Sequence, residues 1–344
     1  PFFAEEMVRE MVQRGVLDGE RGGYTCRANV AEVSVPATVA VAIGARIDRL
    51  GDAARQTLNA ASVIGIRFDA EILSALGIDT AFDELLAAEV IDQVRLRPSA
   101  EYAFRHPLIR TVAYEAQLKS DRAQWHRRLA ATMAAAIEGR AAESVDENAA
   151  LIAEHLQAAG DLVAAYRWHM RAGAWSANRD LVAARLSWQR ALPIADALPA
   201  DTPDRPSMRI APRTMLCATD WQAREVQESR ARFSKLRELC TAAGDKVSLA
   251  IGMTALTTEL LYAGRCREGA RLASEQMGLL ESIDDPTPAM GLAAIAFCNW
   301  LGVCEFHEIL RWSRIIIELA AGDPVKGAGY GMGSPLAIAL AWRG

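Results

Sequence analysis

Residues 91–107 read Ile-Asp-Gln-Val-Arg-Leu-Arg-Pro-Ser-Ala-Glu-Tyr-Ala-Phe-Arg-His-Pro. Two β-leaning runs, 91–97 and 101–104, flank the turn Pro98-Ser99-Ala100 and predict a small two-stranded wing. Upstream, apolar positions recur at helical spacing over 52–64, 70–76 and 80–90. Three helices followed by a wing is the order of a winged-helix domain. Ser34-Val35-Pro36 opens a further helix before it, with serine as cap and proline near the first helical position, and with Val39, Ile43, Ile47 and Leu50 as its buried stripe. After the wing, His106-Pro107 starts a helix to about Leu118, and Ser120 starts another to about Ile137 with Trp125, Leu129 and Met133 along one side.

The N-terminal segment 2–14 places Phe3, Met7, Val8, Met11 and Val12 on one stripe of an amphipathic helix. Val16-Leu17 and Tyr24-Thr25-Cys26 read as two short strands around a glycine-rich turn. Beyond residue 140 the chain becomes alanine-rich helix pairs with glycine at the turns. Tyr262-Ala263-Gly264-Arg265-Cys266 aligns with Trp300-Leu301-Gly302-Val303-Cys304 at an offset of 38, close to repeats of the tetratricopeptide (TPR) type. Five of the thirteen prolines fall between Pro193 and Pro212 and mark a break in the array. The expected architecture is mainly α: a helix and hairpin over 1–34, a winged-helix domain with the following helices over 35–140, and TPR-like helical repeats over 141–344.

Composition narrows the function. The 344 residues are 51% hydrophobic, 24% charged and 6% aromatic, a globular balance that excludes a disordered or collagenous chain. A formal net charge of -5 gives no overall cationic field for nucleic acid or anionic lipid. Six cysteines without a C-x-x-C pair read as reduced, mostly buried thiols, and the expected compartment is the cytoplasm. Residues 286–304 carry no charge, but Pro-Thr-Pro, Asn299 and the acidic flanks argue for a packed helix and against a membrane span. The chain starts at Pro1 and ends in an uncapped apolar run, so a fragment of a longer protein is expected.

Catalytic signatures are missing. No G-x-x-x-x-G-K-[ST] cradle for phosphates occurs, so the chain by itself is expected to be no enzyme and to hold no cofactor. The run Gly327 to Gly333 fails the dinucleotide spacing and reads as a loop between repeats, and Ser334 lacks the glycines of a nucleophile elbow. Cys298, Cys304 and His307 are too few for a zinc site, although Cys304 and His307 would share a helical face. The third helix and its flanks carry Asp79, Asp83, Glu84, Glu89 and Asp92 without a lysine or arginine, which phosphates would repel; direct DNA binding is not expected. Lys119, Arg122, His126, Arg127 and Arg128 form a local basic patch whose plain reading is a solvated helix face.

The segment Tyr102 to Tyr114 carries the main candidate. His106 sits where strand becomes helix, near free backbone N–H groups that attract anions, and a neutral imidazole there could donate to a phosphate oxygen; the alternative is a capping or core histidine.

Phe104-Arg105-His106-Pro107-Leu108-Ile109-Arg110, then Tyr114 and Trp125-His126-Arg127-Arg128-Leu129-Ala130, resembles the winged-helix segment of bacterial STAND signalling ATPases. The pattern is similar to the large actinobacterial regulators that join a class III adenylate/guanylate cyclase domain, an AAA-type ATPase and helical repeats, often with a terminal LuxR-type DNA-binding domain. Pro1 to Glu6 is similar to the stretch after the Gly-Asn of that family's G-x-P motif, in the lid of the ATPase core. The resemblance implies that His106 reaches the phosphates of bound ADP and that Pro1 packs near adenine. Pro107 stands where the family's usual aspartate follows the histidine. It further implies a regulatory or sensor segment with ATP or ADP held by the parent's own ATPase core, and an inducer or protein partner on the repeats. A stand-alone TPR-like scaffold without nucleotide control is the alternative.

Overall fold

Along Glu101–Phe104 the side chains of Tyr102 and Phe104 are buried while Glu101 and Ala103 are half-buried, the two-residue period of a strand with one face on a core. A computed structural model describes residues 39–96, 99–138, 148–223, 226–331 and 333–343, with residues 5, 8–9, 11–12, 15–19 and 23–26. It divides into two compact units, residues 1–165 and 166–344.

In the first unit Leu17–Asp18 (β1) and Thr25–Cys26 (β2) form the expected short antiparallel pair. Of the amphipathic helix read over 2–14, the described residues 5, 8, 9, 11 and 12 are helical. Helices Val39–Asp48 (α1) and Asp52–Ile64 (α2) precede strand Arg67–Asp69 (β3), helices Ala70–Ala75 (α3) and Phe82–Ala87 (α4), and strands Ile91–Arg95 (β4) and Glu101–Phe104 (β5). The sheet order is β3-β5-β4, all antiparallel, with Phe68 opposite Tyr102 and Ile91 opposite Phe104. From α2 to β5 this is a winged helix. The sequence reading has no strand at 67–69, so the wing gains a third strand; three residues are too short to show a period of two.

The core explains why these elements close on one another. Leu58, Leu73, Leu85, Ile91 and Ile109 are at most 1% exposed. The Tyr102 ring stacks on Phe82 at 4.2 Å between centroids, and Phe68 meets both Tyr102 and Phe104. Buried Thr57 accepts a hydrogen bond from the Ala81 amide at 3.2 Å, beside the start of α4. Glu84 accepts one from the Gly51 amide at 2.6 Å, which tethers the start of α2. Helices Pro107–Glu115 (α5), Lys119–Glu138 (α6) and Ala149–Ala158 (α7) follow, and α6 packs along α7.

The second unit is a series of antiparallel helices. Leu162–Ser176 (α8), which spans the division between units, leads into Leu181–Ala197 (α9), Arg205–Ala223 (α10), Val226–Ala243 (α11), Lys246–Tyr262 (α12), Cys266–Glu281 (α13), Thr287–Leu301 (α14), Phe306–Ala320 (α15) and Pro335–Ala341 (α16). Helices α10, α12, α14 and α16 each touch the next in that series, while α11, α13 and α15 pack between them, the layering of TPR-like repeats. Of the stretch read as a break, only 198–204 lies outside helices; Pro193 and Pro212 sit inside α9 and α10. Near Pro212, which cannot donate to the preceding turn, the Arg213 guanidinium bonds the Arg209 carbonyl at 2.8 Å.

One closing turn recurs between helices. The amides of Asp161, Asp245, Arg265 and Glu305 bond the carbonyls of Leu156, Cys240, Leu260 and Trp300 at 2.9–3.0 Å. The residue before each donor is left-handed: Gly160, Gly244, Gly264 and, with φ +61°, Cys304. The structural offset between the last two turns is therefore 40, from Leu260 to Trp300, and not the 38 obtained by aligning glycines. Gly302 is right-handed, and a cysteine takes the left-handed place.

Small residues let the helices meet. A Cβ on Gly173 would lie 2.1 Å from the Trp188 Nε1, and one on Gly269 would lie 1.9 Å from the Asn299 Oδ1. Helix α14 is buried on nearly every side, which accounts for its uncharged sequence, and no described helix is long and apolar enough to cross a membrane.

Candidate functional site

His106 caps α5. Its backbone is extended at φ -146°, Pro107 takes the first helical position, and Nδ1 accepts from the Leu108 amide at 3.1 Å. The open alternative of a capping histidine is thus part of its role. That bond also selects the tautomer: with Nδ1 as acceptor, the ring proton is on Nε2, which is the nitrogen able to donate to an anion.

The residue before it is tied to the end of α4. Arg105 pairs with Glu89 at 3.1 Å, and Arg9, from the N-terminal helical stretch, pairs with the same carboxylate. Glu89 is left-handed at φ +53°, and the Val90 amide closes the turn on Leu85 at 3.1 Å. A non-glycine residue there carries backbone strain of about 1–2 kcal/mol, which its two part-exposed guanidinium contacts offset only in part. Among the acidic residues of the third-helix region, then, Glu84 and Glu89 have structural partners. Pro1 lies outside the described residues, so the expectation that it packs near adenine rests on sequence alone.

Two turns further along α5 lies a buried polar chain that the sequence reading did not identify. The Tyr114 hydroxyl is 3.0 Å from His126 Nε2, and His126 Nδ1 is 2.9 Å from His155 Nδ1. It links α5, α6 and α7. One proton serves the nitrogen–nitrogen contact, so one ring donates and the other accepts. Burial, then His155, Arg110 and Arg122, push His126 down to about 4; burial lowers His155 against the opposing pull of Glu154. The available signal was His155 on the apolar stripe of Ile152 and Leu156.

The basic patch is a solvated face only in part: Lys119 and Arg127 are exposed, whereas Arg122 and Arg128 are half-buried and His126 is buried. Arg128 bonds the Leu76 carbonyl and lies over Trp125, Arg127 reaches the Ala159 carbonyl at 3.4 Å, and Arg122 stacks over Tyr114 at 4.7 Å. These cations fasten α6 to its neighbours. In the second unit Cys304 is exposed in the turn before α15, so it shares no helical face with His307. Among the described residues no group of three or more His, Cys, Asp or Glu is placed to hold a metal. Cys217 and Cys240 are buried, and burial raises both thiols to about 12, but Cys266 and Cys298 are half-buried, so burial of the thiols is less general than expected.

No protein-family model matches the chain. An uncharacterized protein of Rhizobium meliloti (strain 1021) is 30% identical over 200 residues, which is 56% of this chain. The chain spans 18% of the length of that curated relative. A crystal structure of a STAND protein with a tetratricopeptide repeat sensor, from Pyrococcus horikoshii, is similar with a TM-score of 0.39 at 10% identity, over 91% of this chain and 50% of that one.

Proposed function

We propose that the chain is the regulatory segment of an ATP-dependent signalling protein of the STAND type. In this reading the winged helix senses the nucleotide held by the parent's ATPase core, and the repeats receive an inducer or protein partner. The chain itself carries out no chemistry; ATP or ADP belongs to the core, and the cyclase and LuxR-type domains implied by the resemblance would lie elsewhere in the parent. Such a protein works in the cytoplasm.

The observation that carries the reading is the capping geometry of His106. A ring whose Nδ1 accepts from the Leu108 amide carries its proton on Nε2 at a helix N-terminus, a donor and a positive partial charge together, the pair of features that a phosphate of ADP would use. Release of that contact when the repeats are occupied would permit exchange to ATP.

The test is ADP release from the intact protein. His106→Ala is expected to speed release roughly ten- to hundredfold, the worth of one charge-assisted hydrogen bond. His106→Ser keeps an N-cap and should restore helix stability while leaving release fast. Unchanged release in both variants rejects the latch and leaves the stand-alone scaffold.

A further inference from the structure

On α13 the spacing of Arg267, Arg271 and Ser274 puts three polar side chains on one face. With Ala270 between them they line a cavity of about 630 Å³, closed from the other side by Val303 and Glu305 in the turn before α15. Neighbouring cations are committed elsewhere: Arg265 grips Glu268 at 2.8 and 2.5 Å, and Arg311 pairs with Glu281 and Glu308. Arg267 and Arg271 form no ion pair or hydrogen bond with any described residue. Ser274 is oriented, because its Oγ accepts from Nε1 of the buried Trp300 at 3.0 Å, which leaves the hydroxyl hydrogen to be donated.

We propose that this cavity is a binding site for a small molecule bearing an oxyanion, a phosphoryl or carboxylate group. Two guanidiniums one turn apart supply forked donors for its oxygens, and the Ser274 hydroxyl supplies a further one. Glu305 disfavours a ligand that is anionic throughout and selects one with a hydroxyl or ammonium at the opposite end. The volume is that of a site for a metabolite-sized ligand. The inference rests on the sensor reading, for which it names the chemical class of the inducer.

Calorimetric titration of the chain with phosphoethanolamine and, separately, with 3-hydroxypropanoate, each an oxyanion with an ammonium or hydroxyl at the opposite end, tests it. Saturable binding of either is expected, and the tighter of the two identifies the oxyanion. The Arg267→Gln/Arg271→Gln double variant should lose affinity about tenfold or more, while Arg271→Lys, which keeps the charge but not the fork, falls between. Arg314→Gln, exposed on α15 and outside the cavity, should bind as the parent does. Circular dichroism checks that each variant is folded; Arg267 and Arg271 are exposed, so their removal leaves the core intact. Absence of saturation with both anions, or equal affinity in the double variant, overturns the proposal. Because no nucleotide enters this titration, its failure leaves the His106 latch untouched, and a failed latch leaves the anion site standing.

Discussion

Lowering the pH should destabilise the chain through His126, and the size of the effect follows from its surroundings. His126 and His155 are 7% and 6% exposed, and a charged imidazole at either position loses its hydration. His126 falls from 6.5 to about 4 on folding, so between those values the unfolded chain binds the proton and the folded chain does not. Stability therefore drops as pH falls below 6.5 and levels out below about 4. For a single site with these values the loss is about 2 kcal/mol by pH 5 and about 3 kcal/mol by pH 4. Urea denaturation followed by circular dichroism between pH 7.5 and 5 reads the loss. His126→Phe keeps an aromatic ring beside Tyr114 but does not titrate, so the parent should lose about 2 kcal/mol more than the variant over that range. Proton NMR gives the same quantity directly, since the chain has five histidines and each resonance can be assigned by substitution. A His126 midpoint near 6.5, or parallel pH profiles for parent and variant, refutes the reasoning.

Three further outcomes can be measured by the same denaturation assay. Cys304→Gly should stabilise the repeats by about 1 kcal/mol, by relieving a left-handed cysteine at φ +61°. Gly173→Ala gains about 1 kcal/mol of helix propensity but drives a methyl into the Trp188 indole, so a net loss of about 1–2 kcal/mol is expected in the parent, whereas in a Trp188→Leu background, which makes room, the same change should cost nothing further. Asp220 is 1% exposed by its side chain and pairs with Arg185 at 3.0 Å and with Arg232, so Asp220→Ala should cost about 3–5 kcal/mol by removing the buried carboxylate that both guanidiniums share.

What could be read from the sequence follows the range of the forces involved. The wing was legible because Tyr102 and Phe104 alternate over enough residues to declare a face, and the helical hairpins because glycine marks their turns. Strand β3 was not, since Arg67–Asp69 owes its state to pairing with β5, thirty-odd residues away. The turn at Cys304 shifted the repeat alignment because position in a turn is fixed by a backbone bond, Glu305 to Trp300, and glycine merely prefers that place. Of the candidate site, the capping position of His106 was visible from the strand-to-helix change and Pro107. The chain from Tyr114 to His155 was not, because it joins three helices whose relative placement comes from packing. The basic patch misled for the same reason: carbonyl acceptors such as those of Leu76 and Ala159 leave no mark on composition.

Glu89 sets durability against connectivity at one position. A glycine there would accept the left-handed backbone freely, so a search for hardier variants would favour Glu89→Gly. It would also cut the carboxylate bridge between Arg9 and Arg105, next to the capping histidine. Selection for heat resistance alone would thus tend to uncouple the wing from the segment that precedes it, yielding a sturdier chain whose Arg9 and Arg105 no longer share an anion. Hydrogen exchange at the Leu108 amide would report the difference: faster in the glycine variant, even as its melting temperature rises.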